Sequence, residues 1–137
     1  MTPTPAQKPP LVLFAEDDQD DQEFIALAFN KIRPNPRYHI ASNGQEVLQF
    51  LSEQPDNNLP CLIVLDLNMP VLDGMQTLEA LKSHKKWDHI PRVILTTSDS
   101  ARDKALCYSR GATAYMAKPN SMPELVKTIE TMLHHCD

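Results

Sequence analysis

An uninterrupted run of five apolar residues at positions 61–65 leads directly into Asp66, and a turn signal follows at positions 69–74. The run contains Ile and Val and lies between Pro60 and Pro70, which is typical of a fully buried strand in a parallel sheet. Ligands of such sheets gather at the carboxyl ends of the strands. Because an ionised carboxylate in that position needs a partner such as a metal ion or a lysine, Asp66 is the first candidate functional residue.

Four other apolar runs have the length of strands, and a segment with helical spacing of apolar residues follows each of the five runs. The predicted strands are residues 11–15, 38–41, 61–65, 93–97 and 114–117. The predicted helices are residues 20–32, a segment marked by Val47, Leu48 and Leu51, a segment marked by Met75, Leu78 and Leu81, residues 100–110 and residues 122–135. This alternation predicts an α/β fold of the flavodoxin-like type, a doubly wound five-stranded parallel sheet of order 2-1-3-4-5 with five helices.

Length and charge limit the classes of function. The 137 residues suit one domain, which we place at residues 11–137, after a flexible leader at residues 1–10 that holds four of the twelve prolines. The net charge of -5 argues against nucleic acid and anionic membrane surfaces as partners. No apolar run approaches the roughly 18 residues of a membrane-spanning helix, and the leader lacks the apolar centre of a signal peptide.

The three cysteines, Cys61, Cys107 and Cys136, are an odd number without metal-ligand spacing. We interpret Cys61 as a small apolar residue that fills space at the start of the buried strand. The pattern predicts no disulfide framework and suits a reducing compartment, so we expect a cytoplasmic protein.

Polar residues stand at the carboxyl ends of four predicted strands, namely Glu16, Asp17 and Asp18, then Asp66, then Thr96 and Thr97, and then Lys118. Acids this close to one another repel unless a positive charge neutralises them. Octahedral Mg²⁺ prefers such oxygen ligands, and Lys118 supplies a second positive charge. The site therefore suits an added phosphoryl group, whose oxygens the metal and the ammonium would hold while Thr96 donates a hydrogen bond.

The residues Glu16-Asp17, Asp66 in the stretch D-L-N-M-P-V-L-D-G, Thr96 and Lys118-Pro119 resemble the receiver domain of bacterial two-component response regulators. The resemblance covers about residues 11–135, with five motif elements in the family's order. The acidic start, the loop at residues 54–60 and the stretch L-T-T-S are most similar to small stand-alone receivers, including those paired with bacterial phytochromes.

The resemblance implies a role for each matching residue. Asp66 would be the phosphoacceptor, Lys118 the partner of the phosphoryl group, Thr96 the switch hydroxyl and Tyr115 the switch aromatic. Mg²⁺ would be held by the set Asp17, Asp66, the backbone carbonyl of Asn68, and Glu16 through water. The phosphoryl donor would be a sensor histidine kinase or a phosphotransfer protein. The domain would signal through the surface of its fourth helix, fifth strand and fifth helix, and phosphorylation would allow a homodimer. It would not be an enzyme beyond its own phosphorylation and dephosphorylation.

Some residues depart from the family pattern or have a simpler interpretation. The role of Asp18 is left open, Thr97 stands where receivers usually have a small residue, and Asn120 stands where many have Phe. Asp20, Asp21 and Glu23 are interpreted as a solvated helix start that the helix dipole favours. Since no output domain follows His135 in this sequence, we expect no DNA binding through an appended module.

Three rival functions are weighed against the receiver. A haloacid-dehalogenase-type phosphatase needs a second Asp two residues after the first, where this chain has Asn68. A flavodoxin needs a hydroxyl- and glycine-rich loop after its first strand, where the acids at positions 16–18 would repel a phosphate. A receiver-like scaffold that binds partners without phosphorylation would be expected to lack a site residue, and none is missing.

Overall fold

Five parallel strands form one sheet in the order β2-β1-β3-β4-β5 in a computed structural model that describes residues 10–136. The strands are β1 (Leu11–Ala15), β2 (Arg37–Ala41), β3 (Leu62–Leu65), β4 (Arg92–Thr96) and β5 (Ala114–Ala117). The predicted fold class and strand order are therefore confirmed. Except for Pro10, the leader predicted at residues 1–10 lies outside the described residues.

Five α-helices alternate with the strands, as predicted. They are α1 (Gln19–Ile32), α2 (Gly44–Glu53), α3 (Gly74–Ser83), α4 (Ala101–Ser109) and α5 (Met122–Met132), with short 3₁₀ helices at Asp56–Asn58 and Leu133–Cys136. Each α-helix begins after a side chain that accepts a backbone N–H of its first turn, and these caps are Asp18, Asn43, Asp73, Ser100 and Ser121. The first cap settles the role that the sequence left open for Asp18, which accepts the N–H of Asp21.

The sheet is buried on both faces because its strands alternate between two apolar clusters. Leu13 and Ile63 face a cluster completed by residues of α2, α3 and α4, whereas Val12 and Leu62 face a cluster completed by residues of α1 and α5. All four residues of β3 are buried, which confirms the interpretation of its apolar run. Among residues 10–136, no helix combines the length and the apolar character needed to cross a membrane.

The interpretation of Cys61 as a filler without a disulfide is wrong. Cys61, directly before β3, is bonded to Cys136 at a Cα–Cα distance of 5.1 Å across 75 positions of sequence. The contact arises because the 3₁₀ turn Leu133–Cys136 brings the chain after α5 back to the start of β3. Cys107 is free and buried in α4.

Candidate functional site

The residues predicted to meet at the carboxyl edge of the sheet do so. Glu16 and Asp17 follow β1, Asp66 follows β3, Thr96 ends β4 and Lys118 follows β5. Because all five strands are parallel, these ends lie on one edge, and β3 stands between β1 and β4.

The ammonium of Lys118 lies at the centre of this edge and contacts three carboxylates. Its Nζ is 2.5 Å from Glu16 Oε1, 2.9 Å from Asp66 Oδ2 and 3.1 Å from Asp21 Oδ2. Burial by itself lowers the pKa of Lys118, but the hydrogen bonds to these three carboxylates outweigh it, so its pKa is raised and the side chain stays charged.

Glu16 is the most enclosed of these acids, at 2% exposure. While Oε1 contacts Lys118, Oε2 accepts the backbone N–H of Asp18 at 3.0 Å. Burial raises the pKa of Glu16, against the lowering effect of the bonds from Lys118 and Asp18. Both oxygens of Glu16 therefore have partners within the protein.

Asp66 is buried, at 7% exposure, and its two oxygens have different neighbours. Oδ2 contacts Lys118, and Oδ1 accepts the backbone N–H of Asn68 at 3.3 Å. Glu16, Asp17 and Asp66 each offer a carboxylate oxygen within 4.8 Å of the others. Oxygen ligands of this kind fit a hard divalent cation, so the acidic cluster suits divalent metal binding.

The loop after Asp66 folds tightly against the end of β3. Gly74 donates its N–H to the carbonyl of Leu67 at 3.0 Å. A Cβ added at Gly74 would overlap the backbone oxygen of Asp66 and come within 2.8 Å of Leu67 Cα. Asp73 caps α3 in a capping box with Gln76. The Asp-Gly pair therefore positions the loop, as the sequence pattern indicated.

Thr96, at the end of β4, and Tyr115, in β5, share a neighbour. Thr96 is fully buried, and its Oγ1 accepts the backbone N–H of Ser98 at 3.2 Å. Half-buried Tyr115 donates its hydroxyl to the carbonyl of Ser98 at 2.8 Å. Ser98 is the last residue of the stretch L-T-T-S, but nothing in that stretch predicts its two contacts, because both depend on the path of the loop after β4.

The interpretation of Asp21 as part of a solvated helix start is wrong, since this side chain reaches Lys118, 97 positions away in sequence. Asp20 and Glu23 are exposed, as expected. One signal was available, because Asp21 lies one helical turn before buried Ile25 and so shares the face of α1 that packs on the sheet.

Comparisons with known proteins agree with this geometry. The family model described as the response regulator receiver domain matches residues 12–130. The probable methanogenesis regulatory protein FilR2 of Methanothrix harundinacea is 32% identical over 127 residues, which cover 91% of this chain and 82% of FilR2.

Two regulators known from crystal structures are also similar to this chain. Response regulator Rcp1 of Synechocystis sp. is 28% identical over 125 residues, which cover 89% of this chain and 85% of Rcp1. The Mn²⁺-bound form of Rcp1 matches the fold with a TM-score of 0.78 at 27% identity, over 91% of this chain and 92% of that one. The phosphorylated cyanobacterial phytochrome response regulator RcpA matches with a TM-score of 0.81 at 25% identity, over 92% of both chains.

The family match spans most of the chain and includes every strand end that carries the site. The chain therefore belongs to the response regulator receiver domain family, a family of signalling domains that accept phosphoryl groups from histidine kinases, and it is similar to the phytochrome response regulators.

Proposed function

We propose that Asp66 is the phosphoacceptor of this receiver. The observation that carries the proposal is the position of its carboxylate, which is buried at the central strand end and lies 2.9 Å from the ammonium of Lys118. A carboxylate oxygen of Asp66 attacks the phosphorus of a phosphohistidine on the donor. The P–N bond breaks, the imidazole leaves with the electron pair, and an acyl phosphate forms on Asp66.

Lys118 and Thr96 are proposed to hold the transferred group. Lys118 is charged and already in contact with Asp66, so its ammonium can donate a hydrogen bond to a phosphoryl oxygen on Asp66 without a large movement of the side chain. Thr96 ends the adjacent strand, and its hydroxyl can donate a hydrogen bond to the phosphoryl group while its oxygen still accepts the N–H of Ser98. Fixed donors aimed at developing negative charge are the usual way in which proteins favour phosphoryl transfer.

Mg²⁺ is the proposed metal, with the set Asp17, Asp66, the backbone carbonyl of Asn68, and Glu16 through water as its ligands. The 4.8 Å spacing of the three acids supports a shared ion, and the contact between Glu16 and Lys118 favours an indirect role for Glu16. When bound, Mg²⁺ supplies positive charge that neutralises phosphoryl oxygens. The Mn²⁺-bound form of Rcp1 is consistent with a divalent ion in this family.

The remaining functional expectations form part of the same proposal. The donor is a sensor histidine kinase or a phosphotransfer protein, and the output is a conformational change at the surface of α4, β5 and α5, with Thr96 and Tyr115 as the switch. Phosphorylation allows a homodimer. With a net charge of -5, neither nucleic acid nor an anionic membrane is a partner.

We also propose that residues 11–137 form the receiver domain, that it works in the cytoplasm where ATP-dependent kinases act, and that its only chemistry is its own phosphorylation and dephosphorylation. Family membership supports all three statements.

The test of the phosphoacceptor is labelling by acetyl phosphate in the presence of Mg²⁺, followed by intact mass. The wild type should gain one phosphoryl group, Asp66→Ala should gain none, and Asp56→Ala, which removes an exposed acid remote from the site, should be labelled like the wild type. Labelling of Asp66→Ala at the wild-type level would overturn the proposal.

The test of the metal site is a Mg²⁺ titration followed by amide chemical shifts. Asp17→Asn should abolish the response, and an unchanged response would contradict the proposed ligand set.

A further inference from the structure

The three hydrogen-bond donors of Lys118 are matched by three carboxylates within the described residues. An ammonium carries three N–H groups, and Glu16, Asp66 and Asp21 each place one oxygen within 3.1 Å of Nζ. A phosphoryl group on Asp66 brings additional acceptor oxygens to the same ammonium. Because Asp66 is phosphorylated in that state and no longer carries its carboxylate charge, the phosphoryl oxygens compete with the two remaining carboxylates, those of Glu16 and Asp21, for the ammonium.

The exposure of the three side chains indicates which contact yields. The side chains of Glu16 and Asp66 are 3% and 9% exposed, whereas that of Asp21 is 45% exposed. Releasing buried Glu16 would leave an unpaired charge without water, which is costly, whereas the half-exposed carboxylate of Asp21 is rehydrated at once. The backbone N–H of Asp18 also donates to Glu16, and this second hydrogen bond holds the carboxylate in place.

Asp21 and Lys118 also line the same open cleft. This cleft of about 440 Å³ has Thr97 in its lining as well. A phosphoryl donor that enters this cleft meets the negative charge of Asp21 next to the positive charge of Lys118. Like charges at this range raise the free energy of approach, and salt reduces the effect.

We propose that Asp21 is a positioning residue that occupies one donor of Lys118 before phosphorylation and is displaced from it by the phosphoryl group. Asp21 thereby slows phosphoryl acceptance and weakens the hold of Lys118 on the product. This inference rests on the proposed roles of Asp66 and Lys118. It adds to them a residue of α1 that competes with the phosphoryl group for the same ammonium.

The central experiment compares Asp21→Asn with Asp20→Asn. Both variants remove one negative charge from the first turn of α1, but exposed Asp20 has no ion pair with Lys118 in the described structure. We expect Asp21→Asn to be phosphorylated by acetyl phosphate about two- to fivefold faster than the wild type at low salt, the range typical of one partly exposed ion pair. Asp20 lines the same cleft but does not contact Lys118, so Asp20→Asn should be accelerated clearly less than Asp21→Asn.

Two further variants and a second readout separate positioning from a structural effect. Asp21→Glu keeps the charge and should restore a rate near that of the wild type, while Asp21→Ala should behave like Asp21→Asn. Beryllofluoride with Mg²⁺, followed by amide chemical shifts, should bind Asp21→Asn more tightly by a similar factor. The gain in rate should shrink as salt is raised, because a charge effect is screened.

The outcomes distinguish this inference from the proposed function. If the wild type is labelled on Asp66 but Asp21→Asn and Asp20→Asn are accelerated equally, the effect is one of net charge and the inference is overturned. An unchanged or slower rate in Asp21→Asn also overturns it, with Asp21→Ala as the check on folding. If Asp66→Ala is labelled like the wild type, the proposed function itself fails, whatever Asp21 does.

Discussion

Thr96 and Tyr115 contact the same residue, Ser98, through its two backbone hydrogen-bonding groups. The N–H of Ser98 donates to Thr96 Oγ1 at 3.2 Å, and its carbonyl accepts from the Tyr115 hydroxyl at 2.8 Å. The side chain of Ser98 in turn donates to Asp103 in the first turn of α4 at 2.8 Å. A shift of Thr96 toward a phosphoryl group on Asp66 would therefore act on both β5 and α4 through one residue.

The Tyr115→Phe variant tests this connection. It keeps the ring and removes one hydrogen bond, so we expect a loss of about 1 kcal/mol in the free energy of unfolding. Labelling of Asp66 should persist, but beryllofluoride should shift the amide resonances of α4 and β5 less than in the wild type. Tyr108→Phe, which alters an exposed tyrosine of α4, is the matched control. Equal shifts in Tyr115→Phe and the wild type would show that the hydroxyl plays no part.

Gly74→Ala should damage the site at the backbone of Asp66 and Leu67, directly after β3. The added Cβ overlaps backbone atoms of Asp66 and Leu67, which cannot rotate away as a flexible side chain can. We expect a loss of about 2–4 kcal/mol in stability, measured by urea unfolding, and slower labelling of Asp66. Gly111→Ala is the control, because its φ of 101° is strained for alanine but its new Cβ meets nothing closer than 3.7 Å. A loss no larger than that of Gly111→Ala would contradict the steric argument.

The Cys61–Cys136 bond predicts a definite pattern of thiol reactivity. Without reductant, the native protein should show no rapidly reacting thiol, because Cys107 is buried and burial raises the pKa of its thiol to about 11. After denaturation one thiol should react, and after denaturation with reductant three should react. Three reactive thiols in the denatured protein without reductant would show that the bond does not form.

Loss of that bond should also lower stability. It closes a loop of 75 positions, and a bond of this kind contributes about 2–4 kcal/mol by restricting the unfolded chain. Cys136→Ser and treatment with dithiothreitol should lower Tm by similar amounts, and the two effects should not add. A wild-type Tm unaffected by dithiothreitol would contradict a stabilising role.

The raised pKa of Cys107 predicts how stability depends on alkaline pH. Burial is its main cause, and the negative charge of Asp103 adds to it. Between about pH 8.5, where an unfolded thiol titrates, and pH 11 the folded protein keeps a proton that the unfolded chain loses. The free energy of unfolding should therefore fall as pH rises, by roughly 2–3 kcal/mol over the full window.

The measurement is urea unfolding from pH 8 to 10.5 in a protein that carries Cys61→Ser and Cys136→Ser, so that Cys107 is its one remaining thiol. Adding Cys107→Ala should flatten the alkaline decline, even if it lowers stability at every pH. An equally steep decline in both proteins would mean that groups other than Cys107 account for it.

The sequence by itself determined the alternation of elements and the edge at which the site forms. Buried strands such as β3 are visible as apolar runs, and the residue after each run stands at a carboxyl end. Parallel strands present those ends together, so the meeting of Asp66, Thr96 and Lys118 follows from local patterns alone. The starts of the helices also depend on local sequence, because each capping side chain accepts a backbone N–H three residues ahead, as Asp73 does from Gln76.

Other contacts between distant segments do not follow from the common edge of parallel strands, and only the tertiary structure decided them. The pairing of Cys61 with Cys136 depends on the length of α5 and on the turn after it. The contact of Asp21 with Lys118 depends on how α1 is rotated against the sheet, and the bond from Tyr115 to Ser98 depends on the path of a loop. Local periodicity assigns a residue to one face of a helix or to one end of a strand. The distance between two such residues is set by the packing of whole helices on the sheet, because side chains in a dense interior have few alternative positions.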